Sequence, residues 1–526
     1  MPEGVFSTIA YHLAVMAMKS SMEWEPHCGK SVRETDPLRI LEILARVLEL
    51  ASLGGKATAA RVCRGWSSPA LDMLWQDLTD VAPFLNIFAL LKQVESSRMS
   101  SAEALERIKC YGSRVRTLRF DASNSSILRE RGPAEVYRAI CDHDLDQYLP
   151  TVPIPSSGLF PNLHTLVWKA QQPRAYEEST LDAVSYFLCP SLKHLYVWGI
   201  MGQLAEQSHG FVWGPNVDCA PFFHTLNAMN GLRLESLELR GREYAEELTQ
   251  DHEVGLFLRR NQDTLHHFYT WTPEFVRLFQ KEIWGLGRLR SLEVVADNEL
   301  QATELIEGLA DGTPDMESLH LTVLPFEQPQ KWQGLWNAMK RLRKLTKLHL
   351  EVPEIEELDE GDARSMGETW PTLSYLYIVQ KYGGWRDPSR GLSLDFLSAI
   401  SLHFSKSLTE LGLCLGPNLR SAQPISPVRF EKLRLLYIQS SSIPEAPEGL
   451  VQYLAHILPP EADFKGDLHF EWRRVVHRLE RIRGEVFCVI ESVIILNGVL
   501  PPRQSISTVD GGGKYLFVTS FIMVSS

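Results

Sequence analysis

One spacing of apolar and polar positions, apolar-x-x-apolar-x-apolar, recurs along most of the chain. It reads "VRTLRF" at 115–120, "LHTLVW" at 163–168, "LKHLYV" at 192–197, "LESLEL" at 234–239, "LHHFYT" at 265–270 and "LRSLEV" at 289–294. It continues as "MESLHL" at 316–321, "LTKLHL" at 345–350, "LSYLYI" at 373–378, "LTELGL" at 408–413 and "LRLLYI" at 433–438. Alternate side chains of a strand face opposite sides, so each unit predicts a short strand with one apolar face. In "LYV", Leu195 and Val197 point inward and Tyr196 points out. The fifth unit is weak, because Thr270 takes its last apolar position. Stretches between the units, such as "TELIEGLADG" and "WQGLWNAMKRL", carry a helical pattern.

The central residues of the most evenly spaced units are Phe268, Leu292, Leu319, Leu348 and Leu376, separated by 24, 27, 29 and 28 residues. Leucine-rich repeats have this period. A strand–helix unit of that size buries its apolar side only by stacking on its neighbours, which predicts an α/β solenoid with a parallel sheet on its concave face. A doubly wound sheet also alternates strands and helices. The recurring leucine spacing and the lack of a glycine-rich nucleotide turn favour the solenoid. The Asn or Cys that usually follows the last strand leucine is replaced by Ser123, Gln171, Arg242, Asp297 and Lys381, among others, so the array, at 115–458, is irregular. Insertions such as "QQPRAYEEST" and "HGFVWGPNVDCAPF" widen the other gaps.

Ahead of the array, three helices are expected over 36–78. "DPLRILEILARVLEL" opens with Asp36 as N-cap and Pro37 at the first helical position. Gly54–Gly55 should break it, a second helix should cover about 56–66, and Pro69 should start a third that runs to about Leu78. The first helix carries Leu38, Ile40, Leu41, Ile43, Leu44, Val47, Leu48 and Leu50, which is more than one face. So much apolar surface in a module this small calls for a second partner, inside the chain or outside it.

The residues "LRILEIL" (38–44), Val47, Leu48, "ARVCRGW" (60–66), "PALDMLW" (69–75) and Leu78 resemble the F-box family. The family often has a Pro before the Glu of its first helix, where this chain has Leu41. "SAEALERIKCYGSRVRTLRF", "LFPNLHTLVW" and "LVQYLAHILPP" follow the layout of large fungal F-box/leucine-rich-repeat families. The resemblance spans about 420 residues, with motif-level specificity in 36–78 alone. It implies a non-catalytic substrate receptor. The helices would dock on a Skp-type adaptor, and through it a cullin-based ubiquitin ligase, while the array captures a target protein. The adaptor-facing residues it implies are Leu38, Ile40, Ile43, Leu44, Val62, Cys63, Trp66 and Trp75, any of which could equally be internal core. The alternative is a leucine-rich-repeat scaffold that never meets a ligase.

The residue between the last two strand apolar positions should lie on the concave face. In order these are Arg119, Val167, Tyr196, Glu238, Tyr269, Glu293, His320, His349, Tyr377, Gly412 and Tyr437. Tyrosine offers rigid contact area with a polar tip. The candidate target-binding residues are therefore Tyr196, Tyr269, His320, His349, Tyr377 and Tyr437. Glu293, His320 and His349 occupy equivalent positions on strands about 4.8 Å apart and could converge on a metal. Such faces commonly hold these residues without one, so no metal or cofactor is expected.

Composition changes this picture little. The chain of 526 residues is 44% apolar and 22% charged, normal for a globular protein. A net charge of −12 argues against a nucleic-acid binder and against anionic membranes. Cys28, Cys63, Cys110, Cys141, Cys189, Cys219, Cys414 and Cys488 show no C-x-x-C spacing. Reduced thiols in the cytoplasm or nucleus are the simple reading. "VFCVIESVIILNGVL" at 486–500 is too short and too interrupted, by Glu491 and Asn497, to span a membrane. The acidic run "EIEELDEGD" (354–362) reads as a solvated loop. "HCGKS" (27–31) lacks the first glycine of a phosphate loop, and neither H-E-x-x-H nor G-x-S-x-G occurs, so no enzyme is expected. The expected organisation is an extension (1–35), the helical module (36–78), a helical linker (79–114), the array (115–458) and a tail (459–526).

Overall fold

The computed structural model describes residues 41–79, 109–121, 160–169, 187–198, 220–240, 252–270, 273–324, 332–353, 358–380, 391–416, 428–439, 447–466 and 470–483, with Pro83 and Val184 as isolated positions. All lie in one structural unit, Met1–Leu204 with Val212–Val486. The expected extension 1–35, most of the linker 79–114, and Leu38 and Ile40 lie outside the described residues.

The described residues open with α1 (Leu41–Leu50), α2 (Leu53–Ala59) and α3 (Arg64–Trp75). Gly54–Gly55 do not break the chain as expected. They sit in the first turn of α2, where the Ser52 side chain caps by accepting from the Gly55 N–H at 3.2 Å. Pro69 does not start α3 either, because the helix begins at Arg64 and Pro69 lies inside it. Its missing N–H costs one intrahelical bond, facing Gly65 in the turn before. Leu44, Leu48, Ala59 and Ala70 form a small core of their own, with Trp66 and Met73 packed at its edge.

Thirteen strands then pair in parallel, in chain order, into one sheet. They are β1 (Asp77–Leu78), β2 (Thr117–Asp121), β3 (Thr165–Lys169), β4 (His194–Trp198), β5 (Ser236–Arg240), β6 (His267–Thr270) and β7 (Ser291–Ala296). The rest are β8 (Ser318–Val323), β9 (Lys347–Val352), β10 (Tyr375–Gln380), β11 (Glu410–Cys414), β12 (Leu435–Gln439) and β13 (Asp463–Gly466). Sequential order without reversal excludes the doubly wound sheet, whose strand order must switch. Among the described residues the helices that accompany them are α4 (Ala220–Ala228), α5 (His252–Arg260), α6 (Pro273–Trp284), α7 (Glu299–Gly312) and α8 (Gln333–Met339). They continue as α9 (Glu360–Thr369), α10 (Leu394–Phe404), α11 (Pro447–Ile457) and α12 (Phe470–Arg483).

The repeat unit explains the sheet. Its second apolar position, from Leu118 through Leu166, Leu195, Leu237, Phe268, Leu292, Leu319, Leu348, Leu376 and Leu411 to Leu436, is buried on every strand. These residues pair side by side in register. Each full burial of such a side chain contributes roughly 1.5–3 kcal/mol relative to exposure. At each strand entrance a backbone N–H donates to the carbonyl one repeat earlier: Glu317 to Arg290, Thr346 to Glu317, Ser374 to Thr346 and Thr409 to Ser374, each 2.8 Å. These bonds fix the register, because a slip of one residue would turn the leucines to the solvent face. Among the described residues the helices pack on the leucine side of the sheet, and its other face carries no described helix.

The sheet extends past both expected ends. β1 is the end of the helical module, and Gln76 O accepts from the N–H groups of Arg116 and Thr117 at 2.9 Å each. At the other end α11 is not the last helix. β13 adds to β12, and α12 covers it with Trp472, Val475 and Leu479 in the main core. Residues 463–466 and 470–483 thus belong to the array and not to a tail. The acidic run is partly structured too. Asp359 caps α9 in a reciprocal capping box with Asp362, and Leu358 is buried beside it. Among the described residues no helix is long and apolar enough to cross a membrane.

Candidate functional site

Two surfaces carry side chains that the fold does not consume. The first is the helix-free face. Strand register sets Arg119, Val167, Tyr196, Glu238, Tyr269, Glu293, His320, His349, Tyr377, Gly412 and Tyr437 in one unbroken row. Of the expected binding residues, His320, His349, Tyr377 and Tyr437 come together. Tyr269 is buried beside Glu293, and half-buried Tyr196 lies two strands further back, across Glu238.

The centre of this row is a cluster of imidazoles, carboxylates and phenols. The rings of His320 and His349 stack with centroids 3.9 Å apart and planes 5° from parallel. Glu293 Oε1 lies 2.6 Å from His320 Nδ1. Glu351 Oε1 lies 3.6 Å from His320 Nε2 and 3.5 Å from His349 Nε2. Thr322 Oγ1 donates to Glu351 Oε2 at 2.9 Å. Burial by itself would depress the His320 pKa, but the carboxylates of Glu293 and Glu351 outweigh it and hold the imidazole above its ordinary value.

Aromatic contacts continue the cluster. Tyr377 lies 5.3 Å from His349 and stacks on Tyr375 at 4.4 Å and, more loosely, on Tyr437 at 6.2 Å. Gly412 makes this possible. A Cβ there would sit 2.2 Å from the Tyr377 ring, so only glycine lets the ring lie across β11. Desolvation, aided by Glu410 and by Glu293 and Glu351, pushes the Tyr375 pKa up to about 12. Desolvation raises the Tyr377 pKa as well, with the Glu410 carboxylate adding to it, so both phenols stay neutral and carry hydroxyl donors.

The second surface is on the N-terminal helices. Ile43, Val47 and Leu50 form one stripe of α1 and are exposed, Leu50 by 78%. Leu53 on α2, and Val62 (52% exposed) and Cys63 ahead of α3, are exposed too. Two of the residues assigned to an adaptor fall elsewhere. Leu44 is 1% exposed in the small core, and Trp75 is 5% exposed in the main core, 4.8 Å from the Tyr111 ring. Neither presents area to a partner, because each is already packed. Trp66 is half-buried against the small core.

No known family model matches the chain, and no curated protein sequence matches it. Solved structures do. The crystal structure of a Rad7 and Elc1 complex in yeast aligns at 14% identity and a TM-score of 0.32, covering 71% of this chain and 90% of that one. The architecture above therefore rests on strand register and burial in this chain.

Sequence reasoning missed Glu351, Tyr375, Glu410 and Thr322. The signal for Glu351 was present, since it lies two residues after His349 and must share its face. The role of Gly412 had no such signal, because the ring it accommodates comes from the neighbouring strand. On α1, Leu50 is exposed because the face that meets the small core is already filled by Leu44 and Leu48, about a third of a turn or more away.

Proposed function

We propose that the chain is a non-catalytic target receptor of a cullin-type ubiquitin ligase. Its N-terminal helices would dock on a Skp-type adaptor, and its helix-free sheet face would hold the target protein. The observation that carries this reading is the second apolar stripe of α1. Leu44 and Leu48 already satisfy the module's own core, yet Ile43, Val47 and Leu50 remain exposed. Such a stripe suits a groove on a partner, and apolar anchors of this kind dominate interface energetics. The resemblance of residues 38–78 to the F-box family supplies the partner class.

Catalysis would be by proximity. A bound target is held at high local concentration near a charged conjugating enzyme, with no bond made by this chain. A cytoplasmic or nuclear location belongs to the same proposal. The target side would be the row from Glu293 to Tyr437, whose phenols and imidazoles combine apolar area with hydrogen-bonding tips, with Tyr269 packed beneath its edge.

The test is co-purification of the full chain with a Skp-type adaptor. Capture by the native chain, and its loss in Ile43→Asp with Val62→Asp while the far-UV circular dichroism is unchanged, is the expected result. No capture by the native chain would overturn the ligase reading. The scaffold reading has its own observation: Trp75 and Leu78 tie the module into the main core, so the helices also serve as a cap for the sheet. Adaptor-independent stabilisation of the array by residues 41–78 would be that reading's signature.

A further inference from the structure

We propose that His320, His349 and Glu351 form a site for a divalent transition metal of the zinc type, with Glu293 and Thr322 holding two of the ligands in place. This goes beyond the receptor reading and does not depend on it; a chain that captures no adaptor would leave it standing.

One ligand atom from each of the three residues lies within 4.8 Å of the other two. Glu351 Oε1 is 3.6 Å from one Nε2 and 3.5 Å from the other. A tetrahedral zinc ion with bonds of about 2.0–2.1 Å places its ligand atoms about 3.3 Å apart. The carboxylate is thus close to its liganding distance from both nitrogens. The imidazoles are parallel, so closing on one ion requires each ring to tilt toward Glu351 Oε1. That is a side-chain rotation, and the strands keep their register.

The supporting residues make this more than a chance grouping. The three positions suggested by the sequence were Glu293, His320 and His349. The structure gives Glu293 a different part, because its carboxylate meets His320 at Nδ1, on the far side of the ring from Glu351. A carboxylate there keeps the proton on Nδ1, leaves the Nε2 lone pair for a metal and makes the ring a better donor. Thr322 engages Glu351 at Oε2, which leaves Oε1 for the ion. The donor set is two imidazoles and one carboxylate, which suits zinc, cobalt or nickel better than calcium or magnesium. Three protein ligands leave a fourth position, on the helix-free face, for water or for a side chain of a bound protein.

The experiment uses the full chain, stripped with a chelator. Zn²⁺ is titrated by calorimetry and Co²⁺ by visible absorption. The expected result is one tight site per chain, with a Co²⁺ spectrum of low coordination number. Affinity should fall at least about a hundredfold in His320→Ala and in His349→Ala, and about tenfold to a hundredfold in Glu293→Gln, the usual cost of losing an orienting partner. His224→Ala, a change at an exposed histidine on α4, should leave it unaltered. No binding by the native chain, or undiminished binding by His349→Ala, overturns the proposal. Should the variants misfold, the native chain still decides it. Zn²⁺ should protect His320 and His349 from diethyl pyrocarbonate, read by peptide mass, and equal modification with and without Zn²⁺ overturns the site.

Discussion

On α1, Leu44 and Leu48 turn inward while Ile43, Val47 and Leu50 face solvent; in strands β2 to β12 of the array, the second apolar position of the repeat is buried on every strand. The helical module thus exposes apolar surface that its own core has no room for. Among the described residues its core is Leu44, Leu48, Ala59 and Ala70, two of them alanines. The array has one continuous core from Trp75 to Leu479 and presents aromatic and charged side chains on its open face. Surplus apolar area marks a surface for a preformed partner groove. Polar side chains with neutral phenols mark one for recognising chemical detail. The two surfaces therefore suit different kinds of partner.

The strongest way to break the contrast is inside the array. Trp370 is fully buried, and its Nε1–H donates to Leu342 O at 2.8 Å across the neighbouring repeat. Trp370→Ala should cost about 3–5 kcal/mol, read as a lower urea midpoint. Leu44→Ala should cost less, about 2–3 kcal/mol, because the small core can partly collapse around it. Its effect should stay local: faster amide exchange in Leu41–Trp75, with protection of the central strands unchanged. Gly412→Ala comes next, at about 1–3 kcal/mol, since the new methyl must displace the Tyr377 ring. Near-UV circular dichroism should report the loss of the tyrosine stack. The smallest stability change belongs to Ile43→Asp, within about 0.5 kcal/mol, because the side chain is already exposed. That variant nevertheless should have the largest effect on adaptor capture, and a large loss of stability would show that the stripe is core after all.

The array was legible because its signal is redundant. Each repeat restates the same three apolar positions, and the concave row follows from alternation alone. β1 and β13 were missed for the same reason. "DL" at 77–78 and "DFKG" at 463–466 lack the repeat spacing and become strands only because a neighbouring strand offers its edge. Gly54–Gly55 and Pro69 misled because local propensity is weak. A side-chain cap at Ser52 offsets a cost of about 1 kcal/mol per glycine, and packing of Ala59 and Ala70 in the small core holds α3 across Pro69 against a cost of about 3 kcal/mol. In the adaptor set, periodicity counted apolar residues on the helix but could not say which were already used. Leu44 and Trp75 are packed, while Ile43 and Val62 are not.

By itself the sequence determined which residues alternate inward and outward, the repeat period, and the excess of apolar surface on the first helix. Those are local properties, set by the two-residue period of a strand and the 3.6-residue period of a helix. Only the tertiary structure decided which side chains meet across strands: Glu293 at Nδ1 of His320, Glu351 between the two Nε2 atoms, and Tyr377 over Gly412. Apart from Glu351 with His349, two positions away on one strand, these contacts join residues about 30 positions apart, and they depend on register and rotamer, which no pattern within one repeat contains.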